Sequence, residues 1–253
     1  MTAFLAGACG LVGLAVGSFL NVVIARVPVR ESVVRPRSRC PHCGTQLAGR
    51  DNVPVLSWVA LRGRCRTCRE PISVRYPLVE VATAVLFVLA AVRFGASWAL
   101  PAYLVGFAAL VAVTAVDLEH YRIPDRIVFP TLGMATAALV VAAVAGDGTG
   151  SLAGALAGAG LYFGMLFLPH LVYPRGMGFG DVKLALVLGL LLGWIDPYLV
   201  LLGLIAGCVL GVVAGLATVA VRRRREFPFG PALAASTIAV VLLSQRLLDL
   251  GAG

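Results

Sequence analysis

The chain has 253 residues, of which 60% are hydrophobic and only 13% charged, and its mean hydropathy is +0.94. That charged share is about half the usual one for a soluble domain, which excludes a water-soluble globular core and predicts an all-α polytopic membrane protein. Topology alone accounts for the net charge of +9, so no nucleic-acid partner is required.

The sequence predicts about eight transmembrane helices, at 3–25, 76–92, 96–116, 127–145, 151–171, 182–195, 198–221 and 230–247. The first is not preceded by any basic residue, and Arg26 follows it. It therefore reads as an N-out anchor helix rather than a cleavable signal. Of the 21 basic residues, 19 fall in the loops that alternate onto one side. This asymmetry places those loops in the cytoplasm and both termini outside. Arg222 to Arg225 serve there as a topology anchor and lipid contact.

Residues 26–75 form the one polar segment of any size. At about 50 residues it is too small to be held by an apolar core alone. It carries two CxxC knuckles, Cys40-Pro-His-Cys43 and Cys65-Arg-Thr-Cys68, separated by 21 residues. Two such knuckles predict a structural four-thiolate zinc site on Cys40, Cys43, Cys65 and Cys68. Zinc would supply folding energy that the loop lacks. The alternative is a redox dithiol pair, which has no thioredoxin-like strand–helix context here.

In the fifth span Gly150, Gly154 and Gly158 fall four apart, as do Gly160 and Gly164. Such small-xxx-small spacing lets helices approach closely. Packing within the chain is favoured over an oligomer interface.

Two aspartates lie at the cytoplasmic edge of apolar segments, where a carboxylate is expensive. Asp117 ends the third span and Asp181 begins the sixth. The sixth, at 14 residues, would reach only about 21 Å, short of the roughly 30 Å of hydrocarbon. Asp181 is therefore expected several ångströms below the interface. The glycine-rich run before it, including Gly178 and Gly180, predicts irregular backbone beside a small wet pocket. Two nearby carboxylates tend to share one proton, which suits one as general base and the other as general acid. The alternative is two helix caps.

With these residues the chain resembles the type IV prepilin peptidases. The resemblance rests on Gly17-Ser18-Phe19-Leu20-Asn21-Val22-Val23, the two knuckles, and Arg75-Tyr76-Pro77-Leu78-Val79-Glu80. It continues through the segment from Asp117 to Asp125, Gly178-Phe179-Gly180-Asp181, and Pro228-Phe229-Gly230-Pro231. It implies a catalytic dyad of Asp117 and Asp181, within a seven-helix membrane peptidase domain at 76–253. It implies cleavage of the basic leader from prepilins and pseudopilins at the inner membrane's cytoplasmic face. S-adenosylmethionine-dependent methylation of the new N-terminus is expected to follow, although no nucleotide-binding motif marks its residues.

Supporting roles are expected for Gly178, Gly180, Asp125, Lys183 and Glu80. Asp125 is expected to N-cap the fourth span, and Lys183 to influence the dyad or snorkel to the interface. Glu80 lies inside the second span, with Arg75 as a candidate partner. Glu119, Asp125, Glu226 and anionic lipid would hold a basic leader. Two other classes fit parts of the pattern: a proton-coupled transporter, and a zinc-knuckle membrane scaffold.

Overall fold

The computed structural model describes residues 1–174, 177–222 and 227–251. Arg175, Gly176, Arg223, Arg224, Arg225 and Glu226 lie outside them. Among the described residues the regular structure is helical, apart from two isolated bridges. The helices are α1 (Thr2–Arg26), α2 (Leu56–Ala60), α3 (Arg75–Phe94), α4 (Leu100–His120), α5 (Asp125–Val144), α6 (Leu152–Val172), α7 (Phe179–Ile195), α8 (Pro197–Arg222) and α9 (Gly230–Gly251). Seven of them are long and apolar enough to cross a membrane.

The remaining long helix is α7, with 17 residues, or about 26 Å at 1.5 Å per residue. It begins three residues earlier than the apolar run suggests. Phe179 and Gly180 belong to its first turn rather than to irregular backbone. Helices α4, α5, α6, α8 and α9 all pack against it. From Asp181 to Trp194 only Lys183 and Leu186 escape full burial. A helix that is apolar on every side belongs inside protein, so α7 meets its neighbours rather than lipid.

The chain divides into two compact units, Met1–Val92 and Arg93–Gly253. In the first, α1 lies against α3 at Gly13 and Gly17. A Cβ at either would stand 2.6 Å from the backbone of Ala84 or Glu80, so these positions admit no side chain. The loop between the two helices carries the cysteine knuckles and α2.

In the second unit α6 and α7 are in backbone contact. A Cβ on Gly158 would lie 2.5 Å from the Gly189 carbonyl, and one on Gly193 would lie 2.4 Å from that of Gly154. The glycine spacing of the fifth span is thus used inside the chain, while Gly160 and Gly164 face open space. Ser151 caps α6 by accepting the Gly154 N–H at 3.3 Å. Asp147 anchors the start of α4, accepting from the Ser97 hydroxyl and from the N–H groups of Trp98 and Ala99.

Candidate active site and metal centre

Asp117 lies one turn before the end of α4 and is 5% exposed. The helix stops because Tyr121 takes a left-handed conformation, φ 53°, with its N–H still bonded to the Asp117 carbonyl. Pro124 then blocks any continuation and stands immediately before α5. Asp125 is therefore not the N-cap expected of it. It is the first residue of α5, and its carboxylate pairs with Lys183 from α7.

Asp181 lies in the first turn of α7 and is 8% exposed. Its backbone N–H returns to the Gly178 carbonyl at 3.1 Å, and its Oδ1 is buried without a hydrogen-bond partner. The two carboxylates are near enough to interact electrostatically. The second unit thus brings together the end of α4 and the start of α7. His170, near the end of α6, bonds the Met177 carbonyl at 3.0 Å through Nδ1.

A third helix joins them. The backbone N–H of Gly230, at the start of α9, donates to Asp117 Oδ2 at 3.1 Å. The positive end of the α9 dipole therefore faces that carboxylate. Ile123, in the α4–α5 turn, fills the space between the three helix ends. A Cβ on Gly180 would stand 2.9 Å from Ile123 Cβ, and one on Gly230 would stand 2.8 Å from Asp117 Oδ2 and 3.1 Å from Ile123 Cδ1. Both fall in stretches that carry the family resemblance, Ile123 between Asp117 and Asp125 and Gly230 in Pro228-Phe229-Gly230-Pro231, but nothing in the sequence gives either a role at the site.

Lys183 does not snorkel freely. Its ammonium sits on the Asp125 carboxylate and 5.3 Å from the centroid of the Phe179 ring. Asp125 therefore has a cationic partner of its own, which competes with its expected part in holding a basic leader.

In the first unit the four cysteine sulfurs lie within 4.8 Å of one another, with Cys40 and Cys68 Sγ 3.8 Å apart. The two knuckles repeat one backbone pattern. Cys40 N–H donates to Thr45 O and Gly44 N–H to Cys40 O; Cys65 N–H donates to Glu70 O and Arg69 N–H to Cys65 O. The pattern requires a left-handed residue, supplied by Gly44 (φ 70°) and by Arg69 (φ 61°). Four convergent thiols with no open position fit a structural zinc ion.

Glu80 is 7% exposed and lies far from the aspartates in sequence, in the first unit. Its Oε2 accepts the Val55 N–H at 2.7 Å. Val55 holds φ 60°, a strained conformation for a β-branched residue. The bond to Glu80 helps fix that conformation at the start of α2.

Comparison with known proteins agrees with this division. The family model described as Bacterial Peptidase A24 N-terminal domain matches residues 11–94, and Type IV leader peptidase family matches residues 104–216. A prepilin leader peptidase/N-methyltransferase of Burkholderia pseudomallei strain 1026b is 39% identical, the match covering 91% of this chain and 83% of that protein. The chain belongs to the type IV leader peptidase family. A family member of the same name from Stutzerimonas stutzeri is 37% identical, over 94% of this chain and 91% of its own length. One from Myxococcus xanthus is 44% identical over 82% of this chain, which spans only 62% of that relative. No solved structure matches. The apolar helices and the family together make this leader peptidase relative a multi-pass protein of the inner membrane.

Proposed function

We propose that this chain is an intramembrane aspartic endopeptidase that removes the short basic leader of type IV prepilins and pseudopilins. It then methylates the new N-terminus. The observation that carries the reading is the meeting of two buried carboxylates, Asp117 and Asp181, at the ends of α4 and α7. Membership of the leader peptidase family supports it, as do the names of the relatives.

The dyad shares one proton between two carboxylates. The ionised member takes a proton from water as its oxygen attacks the scissile carbonyl carbon. The protonated member gives its proton to the carbonyl oxygen. Collapse of the tetrahedral species breaks the C–N bond, and the amine leaves with the proton that water lost. Gly230 N–H holds Asp117 in place, Gly180 admits Ile123 against the start of α7, and Gly178 leaves room for a substrate backbone beside Asp181. The Lys183–Asp125 pair fixes α7 against α5 near the dyad.

Zinc, held by Cys40, Cys43, Cys65 and Cys68, serves folding of the loop rather than the chemistry. S-adenosylmethionine, when bound, supplies an electrophilic methyl group for the amine that cleavage exposes. By the positive-inside asymmetry the dyad and the loop face the cytoplasm and both termini lie outside. The anchor helix spans 1–25, the loop 26–75 and the peptidase domain 76–253.

The test is cleavage of a prepilin-like peptide in detergent. Asp117→Asn and Asp181→Asn should each abolish it while the protein stays folded. Substantial cleavage by either variant overturns the dyad.

A further inference from the structure

Residues 26–75 carry 11 arginines, yet the run from Val53 to Leu61 holds no charged side chain. Arg50 precedes this run, and Arg62 and Arg64 follow it. Its one hydroxyl, that of Ser57, donates to the Val53 carbonyl at 2.7 Å. The run contains α2. On the inner side the Trp58 indole N–H donates to the Ile72 carbonyl at 3.1 Å, and the ring packs on Gly63. On the outer side Val53, Leu56 and Val59 are 40%, 69% and 59% exposed. Leu56 and Val59, three apart, share one helix face. A helix that is apolar all round is ordinarily covered on every side, and the loop covers only one side of α2.

The depth of α2 is set by α3. That helix is long and apolar enough to cross a membrane. Its 20 residues extend about 30 Å, the thickness of the hydrocarbon. Glu80 lies five residues along it, roughly 7.5 Å from its start. The Glu80 carboxylate accepts the Val55 N–H at 2.7 Å, immediately before α2. Helical side chains lean toward the helix N-terminus, so Val55 lies level with the first turns of α3. The bond from Trp58 to Ile72, three residues before α3, ties the body of α2 to the same level. The short helix therefore lies at the edge of the hydrocarbon.

At that level an outward-facing apolar side chain meets lipid. A segment lying in the interface sinks apolar residues toward the acyl chains and keeps basic ones among the headgroups. Val53, Leu56 and Val59 supply the first kind, and Arg50, Arg62 and Arg64, all exposed, supply the second. The bracketing arginines select an anionic phospholipid surface over a second copy of the chain. A two-fold contact would bring the same patch, and the same positive charges, against each other. Neither the carboxylate dyad nor the cysteine site uses any of these residues.

We propose that α2 is an interfacial anchor. Val53, Leu56 and Val59 enter the acyl boundary beside the start of α3, and Arg50, Arg62 and Arg64 meet anionic headgroups of the same leaflet. Glu80 sets the seat by holding Val55. The knuckle loop is thereby fastened to the membrane along its own length as well as through α1 and α3. The anchor depends on α3 crossing the bilayer and on neither of the activities proposed above.

The test uses the full chain in nanodiscs of phosphatidylethanolamine and phosphatidylglycerol. Photoreactive benzoylphenylalanine is placed singly at Leu56, at Val59, at Leu78 on the exposed side of α3, and at His42 in the first knuckle. Illumination should attach phospholipid at Leu56 and Val59 about as efficiently as at Leu78, and roughly tenfold more than at His42. Mass spectrometry of the peptides reads the adducts. Leu56→Ser combined with Val59→Ser should speed tryptic cleavage after Arg62 roughly tenfold in the same nanodiscs, because the freed segment lifts away from the headgroups. Zinc content reports whether that variant has folded, and the photoadducts decide the matter if it has not. Adducts from Leu56 and Val59 to residues 93–253, to a second copy or to nothing, while Leu78 still labels lipid, overturn the anchor. Equal lipid labelling at His42 and Leu56 overturns it as well.

Discussion

The backbone N–H of Gly230 donates to the Asp117 carboxylate across 113 residues of sequence. It ties the start of α9 to the end of α4, and Ile123 fills the gap between them and α7. Gly230→Ala should therefore move the carboxylate, because the new Cβ would stand 2.8 Å from Asp117 Oδ2. A displacement near 1 Å at a reacting group can cost about 100-fold in rate. We expect kcat for leader cleavage to fall roughly 10- to 100-fold with the melting temperature little changed. Parent-like kcat would separate Gly230 from the chemistry.

The Lys183–Asp125 pair should be a modest contributor. Asp125's side chain is 55% exposed and Lys183's 18%, so solvent screens the attraction. A double-mutant cycle of Lys183→Met and Asp125→Asn, read by chemical denaturation, should give a coupling of about 0.5–1 kcal/mol. It should shrink in high salt. Zero coupling at low salt would show that the pair does not hold α5 to α7.

Asp147 makes stability depend on pH. Burial pushes its carboxyl up, but bonds from Ser97, Thr149, Trp98 and Ala99 outweigh it and hold the group below the ordinary range. A lowered folded pKa gives stability that is present above the unfolded value, about 3.9. It is lost as pH falls through the folded value. Asp147→Ala should cost about 1 kcal/mol at neutral pH, as for a lost cap. The difference should close in strong acid. Melting curves of both proteins from neutral to acid pH check this.

The two zinc knuckles predict opposite effects at equivalent positions. Gly44 and Arg69 both hold positive φ, which costs a side-chain-bearing residue roughly 1–2 kcal/mol. Gly44→Ala should loosen the loop, and Arg69→Gly should tighten it by up to about 1 kcal/mol. The readout is the chelator concentration that strips the metal. Metal analysis of the parent should give about one zinc per chain. A chain purified without metal and still melting cooperatively in the loop would contradict the four-thiolate assignment.

Asp117, Asp181 and the four cysteines were all legible in the sequence, because each breaks a local rule. A carboxylate in apolar surroundings and a thiol pair at knuckle spacing are conspicuous wherever they fold. The helices were legible for the same local reason, to within a few residues at most ends. The start of α7 differs from the sequence reading, which takes the run from Gly176 to Gly180 as poor helix material and begins the span at Asp181, whereas the helix begins at Phe179. Burial among five other helices overrides that weak propensity. Ile123 and Gly230 lie in stretches that carry the family resemblance, but their roles are not legible there. One is an ordinary apolar side chain, and the other acts through a backbone N–H that every residue except proline possesses.

The sequence by itself determined that this chain crosses a membrane, which of its residues are too costly to be incidental, and where thiols can gather. Those properties follow from composition and from spacings of a few residues. Only the tertiary structure decided which costly groups meet. It placed α9 against Asp117, Asp125 on Lys183, and Glu80 on the Val55 N–H. Those pairings depend on how closely whole helices approach, and that is set by glycines facing glycines or bare backbone across distant segments.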